Sequence, residues 1–126
     1  MIEIIWQFVI KEEARGHFEL MYGPGGGWSK LLEGCSGYRG TALLRDTDDP
    51  RRYLAVEFWD APDQREQELA EREADYAELD AAIAGWTESR AQVGAFRVLA
   101  EATVRPRSRT PRSQATRKSS RRTRRP

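Results

Sequence analysis

Four stretches of the chain alternate apolar and polar positions with a period of two, and two others repeat apolar positions at helical spacing. The first, Ile2 to Ile10, places Ile2, Ile4, Trp6, Phe8 and Ile10 on one face and Glu3, Ile5, Gln7 and Val9 on the other. Both faces are largely apolar, which predicts a strand covered on each side. From Lys11 to Tyr22 the period changes, and Ala14, Phe18 and Met21 form one stripe of an amphipathic helix. Gly23-Pro24-Gly25-Gly26-Gly27 must end that helix. Trp28 to Leu32 reads as a short second helical piece with Trp28, Leu31 and Leu32 facing inward.

Gly37 to Arg45 returns to the strand period, and Asp46-Thr47-Asp48-Asp49-Pro50 has the composition of a turn. The stretch from Arg52 to Trp59 then puts Tyr53, Ala55, Glu57 and Trp59 on one face and Leu54, Val56 and Phe58 on the other. The aliphatic face predicts the core, and the Glu57–Trp59 face the edge of a pocket. Asp60 suits an N-cap and Pro62 a first helical turn. The helix that follows carries Leu69, Tyr76, Leu79, Ile83 and Trp86 on one side, and Gly94 to Glu101 supplies the last strand. The order β, α, β, β, α, β is the split βαβ pattern of an α+β, ferredoxin-like fold. It predicts a four-stranded antiparallel sheet with two helices on one face. The face left bare predicts self-association.

Charge divides the chain in two. Up to Val104 there are eleven basic against twenty acidic side chains, whereas residues 105–126 hold ten basic side chains and no acid. The expected boundaries are therefore a folded domain over residues 1–104 and a disordered basic tail over 105–126, too poor in apolar side chains to offset its ordering entropy. Such a tail binds polyanions weakly through counterion release, or is a solvated extension. Cys35 is the single cysteine, so an internal disulfide is excluded. The opening apolar run has charged and polar interruptions and reads as neither signal peptide nor membrane span, which points to the cytoplasm.

Phe8-Val9-Ile10-Lys11 leading into a helix with Phe18, Gly37-Tyr38-Arg39-Gly40-Thr41-Ala42-Leu43-Leu44-Arg45-Asp46 as second strand, and Tyr53-Leu54-Ala55-Val56-Glu57-Phe58-Trp59 before the second helix together resemble the antibiotic biosynthesis monooxygenase domain of the dimeric α/β-barrel superfamily. The resemblance covers roughly residues 2 to 101 and implies a homodimer whose sheets form a barrel, with a cavity in each subunit between sheet and helices. It also implies oxidation of an aromatic polyketide or quinol without metal or flavin. An electron-rich phenol can itself reduce oxygen once ionised, so the protein need only bind the ring, promote loss of the proton and stabilise the anion. Several active members of that family carry a histidine in the second helix, where this chain has none between Asp60 and Arg90. The haem-degrading relatives have an asparagine where Trp6 stands, so the resemblance does not extend to haem.

Four side chains are candidates for the site. Trp59 could pack against a substrate ring and Glu57 accept a proton or a hydrogen bond; alternatively Trp59 is a core or dimer-interface residue and Glu57 pairs with an arginine across the sheet, such as Arg39 or Arg97. His17, the only histidine, lies at the edge of the first helical stripe and either faces the cavity or is an exposed helix residue. Tyr76 shares a helical face with Arg72, from which both could reach the cavity, and it also lies on the core stripe. The glycine-rich run lacks a P-loop ending and reads as an elbow or cavity lid. No spacing of Cys, His and carboxylates completes a metal site, so no metal and no cofactor are expected. A non-catalytic dimeric module binding a small ligand is the alternative to an oxygenase.

Overall fold

A computed structural model of the chain describes residues 1–100 and 105–107. The predicted element order is present: β1 (Ile2–Ile10), α1 (Arg15–Tyr22), α2 (Gly27–Glu33), β2 (Tyr38–Arg45), β3 (Arg52–Trp59), α3 (Gln64–Ala70), α4 (Glu73–Trp86) and β4 (Thr87–Arg97). The four strands form one antiparallel sheet in the order β2-β3-β1-β4. The helices cover one face. The tail boundary at residue 104 and most of the basic segment lie outside the described residues; Arg105 to Arg107 are exposed and in no regular element.

Register decides which side chains meet the helices. Ile4 pairs with Glu57 and Phe8 with Tyr53, so even positions of β1 and odd positions of β3 share the covered face. Tyr53, Ala55, Glu57 and Trp59 are consequently buried. This reverses the expectation for β3: the face with the acid and the indole is the core, and Leu54, Val56 and Phe58 lie on the bare side of the sheet. The aliphatic pattern of β3 could not show this, because both faces of a central strand are apolar when one awaits a second covering layer.

A chain of rings fills the space between sheet and helices. Phe18 lies 5.1 Å from Phe8, 4.9 Å from Tyr53 and 4.9 Å from Tyr22, and the series continues through Tyr22–Trp28 at 6.0 Å to Trp28–Tyr76 at 5.7 Å. These tilted and edge-on separations are those that aromatic quadrupoles favour. The buried stripe of α1 is Ala14, Phe18 and Tyr22, with Met21 only half-buried. The glycine-rich run makes a tight turn after α1: a Cβ on Gly26 would stand 2.1 Å from the carbonyl oxygen of Leu20. The Ser29 hydroxyl lies 2.9 Å from the carbonyls of both Tyr22 and Gly23 and shares its single proton between them, while Gly23 also accepts from the Gly26 N–H at 2.9 Å.

The second helical region is two helices. Arg72, at φ −123° and ψ 37°, interrupts it, so α3 and α4 pack on the sheet at their own angles. Asp60 does not cap a helix; its carboxylate accepts from Arg39 at 2.8 Å, and α3 starts four residues later. The last strand begins at Thr87, directly after α4, rather than at Gly94, and ends at Arg97. Its residues from Glu88 to Val93 are exposed and mostly polar, as suits an edge strand, and they carry no clear alternation to read. Among the described residues no helix is long and apolar enough to cross a membrane.

Candidate functional site

Glu57 is the buried charge from which the site is built. It stands between Ile4 and Thr41 in neighbouring strands, points into the helix layer and has no exposed surface. A carboxylate so placed must be paired. Arg65, the second residue of α3, donates from Nε to Oε1 at 2.7 Å, and from Nη2 to Oε2 at a long 3.5 Å. The indole of Trp59 donates to Oε1 at 3.0 Å and that of Trp28 to Oε2 at 3.4 Å. One carboxylate thus ties β3 to α2 and α3.

Arg65 is held from the other side by aromatic faces. Its guanidinium carbon lies 5.6 Å from the ring centre of Trp6 and 5.8 Å from that of Trp28, both within cation–π range. Burial works against its charge, but Glu57's field and hydrogen bonds more than offset this and hold its pKa above the ordinary value. Arg65 is therefore a permanent cation with only 13% of its side chain exposed. No acceptor among the described residues meets its Nη1.

Two spaces meet at this cation. A cavity of about 40 Å³ lies among Trp6, Phe8, Tyr22, Trp28, Tyr76 and Ile83, and Arg65 and the Asp80–Arg90 pair also line it. That pair is bidentate, at 2.8 and 3.2 Å. A groove of about 670 Å³ runs between the β1–β4 side of the sheet and α3–α4; Ile4, Trp6, Leu69, Tyr76 and Ala95 line it, and Asp63, Glu66 and Glu73 stand along it. Trp6, Arg65 and Tyr76 belong to both. The smaller space has room for about one water, whereas the groove has the size of a small-molecule site.

The groups nearby differ in what they can do. Burial pushes the Tyr22 phenol far above its usual range, so it remains a protonated donor. Burial likewise pushes the Cys35 thiol up, away from a nucleophilic thiolate. The Nε1 of Trp6 is buried and has no partner among the described residues. No group of three or more His, Cys, Asp or Glu that could hold a metal comes together there.

Three of the four sequence candidates converge here. Glu57 and Trp59 are bonded to each other but lie in the core, lining neither space, while Tyr76 lines both. His17 is not brought to them: it is exposed, stacks on Trp86 at 5.6 Å and borders a shallow depression with the glycine-rich run. That run is accordingly no lid over this cavity. Arg72 also turns away, bonding Glu68 at 2.8 Å and the carbonyl of Gly34. Glu57's partner is neither Arg39 nor Arg97 but Arg65, which sequence reasoning missed along with Trp6, Trp28 and the Asp80–Arg90 pair. One signal was available: an arginine in the first turn of a helix opposes the helix dipole and needs a buried anion to justify it.

Sheet order and helix placement define a ferredoxin-like fold, one shared with solved antibiotic biosynthesis monooxygenases. No protein-family model and no curated protein matches the chain. Among solved structures it is similar to a variant of SnoaB, a cofactor-independent oxygenase from Streptomyces nogalater, with a TM-score of 0.67 and 18% identity over 79% of this chain and 94% of that one. It is also similar to an antibiotic biosynthesis monooxygenase, with a TM-score of 0.59 and 18% identity over 79% and 100% of the two chains. Rv0793 from Mycobacterium tuberculosis superimposes with a TM-score of 0.63 at 14% identity, covering 81% and 98%.

Proposed function

We propose that the chain is a homodimeric, cofactor-independent oxygenase acting on an aromatic polyketide or quinol-type molecule bound at Trp6, Arg65 and Tyr76. The observation that carries the reading is Arg65, a cation fixed by Glu57 and two indoles yet facing both the cavity and the groove. A phenol bound with its hydroxyl toward that guanidinium loses its proton more readily, because a nearby positive charge favours the anion. The ionised ring is then the electron donor to oxygen. Trp6 and Tyr76 supply surfaces for a planar ring, while Glu57 and Trp59 are positioning residues that act through Arg65.

The bare face of the sheet suits a second copy. Ile5, Val9, Leu54, Val56 and Phe58 lie on it, with Leu44 and Phe96 each about half exposed at its two sides. Two such faces packed together would bury this surface, and sedimentation at micromolar concentration should show a dimer.

A second reading, a non-catalytic module that binds the same ligands, is favoured by one observation. Asp80 at the cavity is already engaged by Arg90, and the carboxylates along the groove, Asp63, Glu66 and Glu73, are exposed to solvent, so no buried carboxylate other than Glu57, itself tied to Arg65, stands near that cation among the described residues. Oxygen uptake with a panel of quinols and polycyclic phenols separates the two. The oxygenase reading expects uptake with some member, lowered at least tenfold in Arg65→Gln and unaltered in His17→Ala. Ligand-dependent quenching of tryptophan fluorescence without any uptake establishes the module instead.

A further inference from the structure

The groove has a charge pattern that its role as a ligand entrance does not use. Asp63, Glu66 and Glu73 stand along it, whereas its single cation, Arg65, is already paired with Glu57. All three acids belong to residues exposed to solvent. The same groove is lined by the aromatic side chains of Trp6 and Tyr76 and by Ile4, Leu69 and Ala95. Carboxylates and aromatic faces in one groove suit arginine above other side chains. The guanidinium pairs with the acid or stacks on the ring, while the aliphatic stem covers apolar surface.

The chain carries such a segment, and the last described strand before it borders this place. Ala95 lines the groove, and two residues later, at Arg97, β4 ends beside Ile2. The main chain remains bonded to the start of β1 through Val98 N–H to the Met1 carbonyl at 3.0 Å. From Arg105 onward the sequence holds ten Arg and Lys and no acid. The groove rim from Asp63 to Glu73 spans roughly 15–20 Å at 1.5 Å per helical residue. A segment of this length reaches it many times over, at up to about 3.3–3.6 Å per residue.

We infer that residues 105–126 dock in the groove between β4 and α3–α4, their arginines pairing with Asp63, Glu66 and Glu73 and covering Trp6 and Tyr76. The bare sheet face is on the opposite side, so docking and dimer formation do not exclude each other. The docking itself does not depend on the oxygenase reading and is tested without turnover.

The experiment uses the full chain with Ser119→Cys carrying a nitroxide; Cys35 is buried and poorly placed to compete for the label. Paramagnetic broadening of backbone amides is followed by NMR. Docking expects broadening at Leu69, Glu73 and the Trp6 indole N–H, relieved in 0.5–1 M salt because ion pairs of exposed groups are screened there. The Glu66→Lys/Glu73→Lys chain should lose it while keeping its amide dispersion. Broadening that is absent from the groove, or that survives the charge reversal, overturns the inference. Mixing spin-labelled, isotopically silent chain with label-free ¹⁵N chain reveals exchange between copies. Broadening only in that mixture assigns the groove to a second copy's tail and also overturns docking within one chain.

Discussion

Two carboxylates on the helix-covered side of the sheet have the same kinds of partner and different surroundings. Glu57 accepts from Arg65 and from the indoles of Trp59 and Trp28; Glu19, on α1, accepts from Arg45 at 3.0 Å and from the Tyr53 hydroxyl at 2.5 Å. The side chains of Glu57 and Arg65 are 0% and 13% exposed, those of Glu19 and Arg45 39% and 51%. Water can replace the partners of Glu19. It cannot reach Glu57, so each donor lost there leaves a buried charge short of a bond. The contrast shows why the β3 end of the molecule is rigid enough to hold a cation at a cavity, while the Glu19 cluster serves mainly to tie α1 to β3.

Removing the buried acid should have the largest effect. Glu57→Leu strands Arg65 without its anion and should destabilise the fold by about 3–5 kcal/mol, the usual result of breaking one side of a buried pair. Chemical denaturation measures this. Adding Arg65→Leu should recover part of the loss, because the stranded charge is then gone. A double variant no more stable than Glu57→Leu would show that the pair matters through shape rather than charge.

Trp59→Phe takes one donor from the same carboxylate and keeps most of the ring. A hydrogen bond to a charged group contributes about 1.5–3 kcal/mol, and the loss should fall in that range because Arg65 Nε still donates to the same oxygen, Oε1. Denaturation of the variant beside Glu57→Leu shows how much of the carboxylate's contribution passes through the Trp59 indole. Equal losses would mean that Trp59's contribution is packing against Tyr38, whose ring lies 5.4 Å away edge-on.

The smallest effect belongs to Glu19. The Tyr53 hydroxyl, and then Arg45, hold its carboxyl below the usual range, while partial burial pulls the other way. A lowered folded-state pKa contributes stability that is present above the ordinary carboxylate value and is lost as pH falls through the lowered one. Screening at this exposure limits the contribution to about 1 kcal/mol or less. Glu19→Gln should therefore flatten the acid limb of the stability profile slightly and leave neutral stability lower by a similar amount. A profile with an unchanged acid slope would remove Glu19 from the account.

Much of this architecture was legible along the chain. The switch between periods of two and of about three and a half marked most elements, though not the break between α3 and α4 or the first half of β4, and the Asp46 turn behaved as read, its carboxylate accepting from the N–H groups of Asp48 and Asp49 at 2.7 and 3.2 Å. The candidate site was legible only in part. Glu57, Trp59 and Tyr76 were singled out and do cluster near one cation, but His17 followed from its chemistry alone and lies elsewhere. Arg65 looked like one more charge among Gln64, Glu66 and Gln67, since the side chain that explains it is eight residues away across a turn.

Periodicity is local, and so the sequence by itself determined which segments are strands and helices and in what order they come. The side of β3 that faces the helices was decided only when the sheet formed, because pairing Ile4 with Glu57 and Tyr38 with Trp59 places that whole row under one layer. The burial of Glu57, its choice of Arg65 over Arg39, and the meeting of Trp6, Arg65 and Tyr76 at one cavity all follow from that register. Each joins residues from separate elements, and desolvation, which gives such contacts their strength, exists only once those elements pack.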